Sequence, residues 1–238
     1  MITVYGKEVP TELAELVDPR STAFVIIDMQ NDCCSVGGTG HRAGADLSMY
    51  AEVIPRIAEF AALCRRAGVP VINVRILTLP EGRSDSPAWI RLRLRANKNY
   101  NPENEGAWAF TLEGTWGAEF VPGLQPEPVD YVVTKFRSSA FTNTSLDLIL
   151  RSNGIKTVLV SGSTTEGCVE STVRDLCFYD YFGVVLSDCV GSDVRELHEA
   201  SMLVMGAYRA DIATSAEVAE IWRGTGALPR EAAARATA

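Results

Sequence analysis

Histidine is scarce in this sequence: only His41 and His198 occur in 238 residues, and neither stands in an Asp-x-His arrangement. A metal site built on imidazole therefore lacks ligands, and neither a metal nor another cofactor is expected. The six cysteines (Cys33, Cys34, Cys64, Cys168, Cys177 and Cys189) form no CxxC pair. That argues against a thiol-redox motif, although roles for Cys177 and Cys189 stay open, and disulfides are not the default here. No apolar run reaches the length of a membrane span. The first twenty residues, MITVYGKEVPTELAELVDPR, mix charges and prolines with apolar residues and contain no signal-peptide core, so the chain reads as cytoplasmic. Lysine and arginine (22) are outnumbered by aspartate and glutamate (30), and no basic run stands out, which argues against a nucleic-acid partner. An anionic small molecule is still compatible with the net charge of −8, because one or two local arginines can dominate a weak global field. Repeats and low-complexity linkers are also missing, apart from the terminal EAAARATA, which is expected to fray.

What is present is an alternation. The composition, 47% apolar and 22% charged, is that of a globular protein, and 238 residues are most simply one domain spanning residues 1–238. AFVIID (23–28), VPVINVRI (69–76), YVVTK (131–135), KTVLVSG (156–162) and FGVVLSD (182–188) are short β-branched runs, with a further short strand near 211–213. Helical patterns fall between them at 51–67, 144–154, from about Gly167 to Tyr181, at 195–209 and near 215–223; Gly68 and Gly154 close two of these. Continuous apolar strands alternating with amphipathic helices predict an α/β fold with a parallel sheet covered on both faces, a three-layer α/β/α domain. Residues 77–128 break the rhythm with prolines, glycines, the arginine-rich RSDSPAWIRLRLR, and Trp89, Trp108 and Trp116. A stretch this long is either a lid over a substrate pocket or a surface that meets a neighbouring subunit.

Ligands of open parallel sheets bind at the carboxyl ends of the strands. Three such ends carry reactive residues: Asp28 in IIDMQND, Lys135 in TKFRSSAF, and Cys168 in GSTTEGCVEST at the start of a helix. Taken singly, the aspartate is an ordinary turn residue, the lysine a solvated one and the cysteine packing. Together on one rim they form a coherent set. A helix N-terminus and a nearby ammonium favour thiolate over thiol, and a carboxylate can take the thiol proton and return it to a leaving amine. Backbone N–H groups at the helix start can receive an oxyanion, and Gly167 leaves room where substrate must approach.

IIDMQND, KFRSSAFTNTSLDLIL and GSTTEGCVEST together resemble the isochorismatase-like cysteine hydrolases, from about residue 20 to residue 223. The resemblance implies a Rossmann-like, six-stranded parallel sheet of order 3-2-1-4-5-6 and a catalytic triad of Asp28, Lys135 and Cys168. It further implies a cis peptide bond at Ser163–Thr164, with the N–H groups of Thr164 and Cys168 as oxyanion donors. The isochorismatases proper lack the nucleophilic cysteine that this chain has, and nicotinamidases carry a metal for which it lacks histidines. The C-terminal half is most similar to the ureidoacrylate amidohydrolase branch, and TTEGCV is similar to N-carbamoylsarcosine amidase and maleamate amidohydrolase; biuret hydrolases share the plan. The resemblance therefore implies a small linear ureido, carbamoyl or amide substrate, cleaved at a C–N bond through a thioester with release of ammonia or an amine. It also implies a homo-oligomer, dimer or tetramer. Candidate substrate-binding residues are Gln30, Arg137, Phe141, Thr165, Gly167 and Arg195, with Arg75 a further arginine able to meet a carboxylate. The alternatives are a maleamate-type amidase and a non-catalytic small-molecule binder that kept the fold.

Overall fold

The computed structural model describes residues 1–96 and 110–228; Trp108 and the terminal EAAARATA lie outside them. The chain opens on a hairpin that the sequence reading did not anticipate, β1 (Ile2–Val4) and β2 (Lys7–Val9), antiparallel with Val4 opposite Lys7. Its two-residue turn, Tyr5–Gly6, has φ of 52° and 76°, the positive pair that matches the twist of a two-residue hairpin. The short helix α1 (Leu13–Leu16) leads into β3 (Thr22–Ile27). After β3 come α2 (Asn31–Cys34), α3 (Thr39–Arg42), α4 (Ser48–Arg66), β4 (Val71–Ile76) and α5 (Pro87–Ala96). The chain continues with β5 (Tyr131–Lys135), α6 (Leu146–Ser152), β6 (Thr157–Ser163), α7 (Glu170–Phe178) and β7 (Phe182–Gly191). It ends with α8 (Arg195–Tyr208), β8 (Asp211–Ala213) and α9 (Ser215–Gly224).

Six strands form one parallel sheet in the order β5-β4-β3-β6-β7-β8. Counted from β3, this is the 3-2-1-4-5-6 order that the resemblance implied. Strand periodicity explains the two cores. Phe24 and Ile26 of β3 point to one face and pack with Leu159, Val184 and Leu186 against α4 and Trp222 of α9. Ala23, Val25 and Ile27 point to the other, where Val158, Val160 and Val185 meet Leu150 of α6, Val173 of α7 and Met205 of α8. Both faces are covered, so the strands read as apolar without alternation. Trp222 is fully buried and donates its indole N–H to Val17 O at 2.6 Å, which ties the last helix back to the start of the domain.

Two expectations change in detail. The helix anticipated from about Gly167 to Tyr181 is a π-type turn, Thr165–Val169, followed by α7. The 77–128 excursion contains the ten-residue α5, whose Arg93 pairs with Asp85 at 2.6 Å.

The tightest approach in the sheet lies beside the site. Gly162 of β6 has φ +114°, and a Cβ there would lie 2.1 Å from Ile27 O. Any side chain would push β6 away from β3 just where Asp28 and Thr164 leave them. Gly162→Ala should therefore cost more than about 2 kcal/mol of folding stability, through overpacking and a disallowed conformation together. Urea unfolding measures it, and a loss below half that figure would mean the two strands can separate freely.

Candidate active site

Asp28 follows β3 directly and adopts φ +50°, a left-handed conformation that aspartate tolerates better than most residues. Its amide donates to Val74 O at 2.9 Å, and its carbonyl accepts from Ser163 Oγ at 3.1 Å, so both neighbouring strands hold the turn. Lys135 ends β5 and is completely buried. Its ammonium has three acceptors for three N–H bonds: Asp28 Oδ2 at 2.7 Å, Cys168 Sγ at 3.1 Å and Arg137 O at 3.1 Å. Cys168 sits in the π-type turn after β6. Such turns occur often at functional sites because they displace one residue from helical register. The peptide bond Ser163–Thr164 is cis. Thiol, carboxylate and ammonium thus meet at the carboxyl ends of β3, β5 and β6.

The electrostatics differ from the expectation of a ready thiolate. Burial, and then the Asp28 carboxylate, push the Cys168 thiol up to about 12, and Lys135 offsets this only in part. Burial likewise raises the Asp28 carboxyl above the ordinary aspartate range, against the pull of Lys135. For Lys135 burial works to lower the ammonium, but Asp28 and Cys168 outweigh it and hold it above the usual lysine value. These directions favour the Cys168 thiol over its thiolate and the charged form of Lys135. Both Asp28 carboxylate oxygens are enclosed, and Lys135 and Cys168 lie within reach of the carboxylate.

Several residues expected to face substrate are placed otherwise. Gln30 is fully buried and its amide is consumed as a brace: Nε2 donates to Ile76 O at 3.0 Å and Ala118 O at 2.8 Å, and Oε1 accepts from Ile76 N at 2.8 Å. Phe141 is buried and stacked on Tyr179 with centroids 4.8 Å apart. Thr165 is also buried, its hydroxyl 2.9 Å from His198 Nδ1 on α8. Gly167 is needed for a different reason from the one anticipated: a Cβ there would strike the Thr164 hydroxyl at 2.5 Å, so the missing side chain makes room for its own turn. Arg195 is exposed at the start of α8 and no described contact joins it to the three reactive groups.

Arg137 is the arginine nearest the chemistry. Its carbonyl receives Lys135, and its guanidinium lies over the Trp89 ring at 5.0 Å and donates to Ser84 O at 3.1 Å. Arg75 donates to Thr134 Oγ1 on the neighbouring strand. Among the described residues no group of three His, Cys, Asp or Glu side chains could hold a metal ion, and no helix is long and apolar enough to cross a membrane.

Asp32, a residue the sequence reading passed over, anchors the surroundings. Its Oδ1 accepts from the amide and hydroxyl of Thr39, both at 2.8 Å, and its Oδ2 accepts from Thr111 N at 2.7 Å. Gly117 packs so closely that a Cβ would lie 2.2 Å from the same carboxylate. Backbone bonds from Asn31 to Glu119 and from Val121 to Met29, with Asn31 Nδ2 donating to Trp116 O, stitch the returning end of the excursion to the loop after Asp28. The only sequence signal was a second acidic residue four positions past Asp28.

Comparison with known proteins agrees with this architecture. Residues 22–217 match the Isochorismatase domain. Ureidoacrylate amidohydrolase RutB of Pseudomonas syringae pv. syringae is 40% identical over 188 residues, 77% of this chain and 76% of that protein. Among solved structures, a cysteine hydrolase from Pseudomonas syringae pv. phaseolicola superposes with a TM-score of 0.74 at 24% identity, covering 88% of this chain and 95% of that one. N-carbamoylsarcosine amidase from Thermoplasma acidophilum gives 0.61 at 25% identity, covering 82% and 96%. The fold is that of the isochorismatase-like hydrolases. The chain belongs to the isochorismatase family.

A neutral resting thiol has a direct readout. The rate of iodoacetamide alkylation at Cys168, followed by peptide mass spectrometry, should climb through about pH 10 without levelling. A plateau near neutral pH would mean that the thiolate is already formed.

Proposed function

We propose that this protein cleaves a C–N bond of a small linear ureido, carbamoyl or amide substrate with Cys168 as nucleophile. The chain is an enzyme of its family that hydrolyses C–N bonds other than peptide bonds. The observation that carries the cysteine mechanism is the Lys135 ammonium, 2.7 Å from Asp28 and 3.1 Å from Cys168, with all three groups at one rim of the sheet.

The geometry supports the following sequence. Substrate entry places a carbonyl carbon beside Sγ. The thiol proton passes to Asp28, whose raised carboxyl makes it a stronger base than a solvated aspartate, and Lys135 stabilises the sulfur as it gains charge. Sulfur then bonds to carbon, and the oxyanion is received by the N–H groups of Thr164 and Cys168. The adduct collapses, the C–N bond breaks, and the proton held by Asp28 goes to the departing nitrogen, which leaves as ammonia or an amine. Water hydrolyses the remaining thioester, or thiocarbamate if the carbonyl was a ureido one, and restores the thiol. The names of the relatives favour ureidoacrylate or an N-carbamoyl amino acid as substrate, with biuret and maleamate as the next candidates. Arg137 is the residue proposed to meet a substrate carboxylate, since its guanidinium has two carbonyls and a ring as described partners but no carboxylate.

Ammonia release from ureidoacrylate, N-carbamoyl amino acids, biuret and maleamate, assayed with wild type, Cys168→Ala and Cys168→Ser, tests both parts. The expected outcome is turnover of one of these compounds by wild type and none by either variant, with far-UV circular dichroism unchanged. Retained activity in both variants would sink the nucleophile assignment.

The carboxyl has its own signature. Asp28 must be ionised to accept the thiol proton, and its carboxyl is raised, so kcat/KM should fall with acidification at a pH above the unperturbed value of about 3.9. Asp28→Asn should lower kcat/KM by about a hundredfold or more and abolish that acid limb. An acid limb that survives the substitution would assign it to another group.

A further inference from the structure

An enclosed guanidinium nitrogen with nothing to bond is uncommon, because a charged donor that has lost its water and found no acceptor is costly. Arg93 of α5 carries one. Its side chain is 15% exposed, and Nη1 donates to Asp85 Oδ2 at 2.6 Å and to Thr78 Oγ1 at 3.3 Å. Nη2 is buried and has no hydrogen-bond partner. No step of the hydrolysis uses it.

This nitrogen belongs to the same cluster as Arg137. Trp89 and Arg93 are four residues apart and share the inward face of α5 with Ile90 and Leu94, while Arg91, Leu92 and Arg95 are exposed. The Arg137 guanidinium lies over the Trp89 ring at 5.0 Å and donates to Ser84 O; Arg93 pairs with the next residue, Asp85. Two consecutive residues thus hold both guanidiniums. Both also lead back to Lys135: the Arg137 carbonyl accepts from Lys135 Nζ, and Leu77, which precedes Thr78, donates its amide to Lys135 O. The two arginines have one carboxylate between them, that of Asp85, whose side chain is 5% exposed. The group of three therefore carries one surplus positive charge.

We propose that Arg93 is a second substrate-binding residue, whose free Nη2 grips one substrate carboxylate together with the Arg137 guanidinium. The inference rests on the reading that Arg137 meets substrate. A guanidinium suits this double duty, since its planar fork can hold a structural carboxylate on one nitrogen and a ligand on another. Asp85 sets the charge that is accepted. One ligand carboxylate makes the group neutral. A neutral ligand leaves a desolvated positive charge unpaired, and a dicarboxylate adds an unpaired negative one. The selected class is a linear monocarboxylate bearing a ureido or amide group, ahead of an uncharged compound such as biuret.

Calorimetric titration of the full chain carrying Cys168→Ala, with 3-ureidopropionate and with its neutral amide 3-ureidopropionamide, tests the assignment. The acid should bind at least about tenfold more tightly than the amide. Adding Arg93→Gln should shrink that ratio to within about threefold. Arg93→Lys should do the same, because lysine keeps an ion pair with Asp85 but has no second nitrogen to offer, and it decides the matter if Arg93→Gln fails to fold. Asp85→Asn separates binding from a structural role. It breaks the same ion pair, yet should keep or enlarge the preference for the acid, since the surplus charge rises. Equal binding of acid and amide before any change at Arg93, a preference that survives both Arg93 variants, or no binding of either compound would overturn the proposal. Loss of the preference in Asp85→Asn would overturn it too, by making Arg93 a structural partner. Ammonia release from the acid by wild type reports on the hydrolysis separately, and the binding comparison stands without it.

Discussion

A fully buried ammonium is the constraint around which this site is arranged. Taking a lysine out of water costs several kcal/mol unless every N–H finds an acceptor and a counter-charge stands close. Lys135 satisfies both conditions at once, with Asp28, Cys168 and the Arg137 carbonyl as its three partners. Each of those partners is held by a different strand end or by the loop just beyond one. The sheet order that puts β3 between β4 and β6, with β5 at the edge, is therefore what closes the cage. The parallel sheet sets the distances, and the distances keep the lysine charged.

The same balance disfavours a resting thiolate. The helix-terminus and lysine effects that favour thiolate are real, but each is modest beside the desolvation of sulfur and the carboxylate next to it. A site of this kind stores its nucleophile as thiol and carboxylate, and the pair becomes reactive when a substrate carbonyl supplies an acceptor for the charge. On the far side of the turn, Thr165 meets His198, and the Ser201 hydroxyl lies within hydrogen-bond distance of Glu170 and of Thr165 O. The inner surface of α8 thus supports the segment that carries Cys168.

Much of this was legible in the sequence, for physical reasons that also mark where the reading stopped. The six sheet strands are unbroken apolar runs because both faces are covered, and their ends announced Asp28, Lys135 and Cys168 together. The β1–β2 hairpin was missed because its strands are three residues long and fully exposed, which leaves no periodicity to see. The α5 helix was hidden by its arginines, which blur the apolar stripe. Side-chain direction was the deeper obstacle. Gln30, Phe141 and Thr165 are close to the reactive residues in sequence, yet each points into structure, and only packing decides that. Asp32 was overlooked for the converse reason: its partners, Thr39 and Thr111, are distant in sequence from one another.

The excursion between β4 and β5 enters and leaves along two short seams, Thr78 beside Leu112 and Gln30 beside Phe120, with Asp32 clamping the return. An insert held at its ends in this way behaves like a cassette. The spacing across its mouth is therefore set by the loops that follow β3 and β4 and not by the length of the excursion itself.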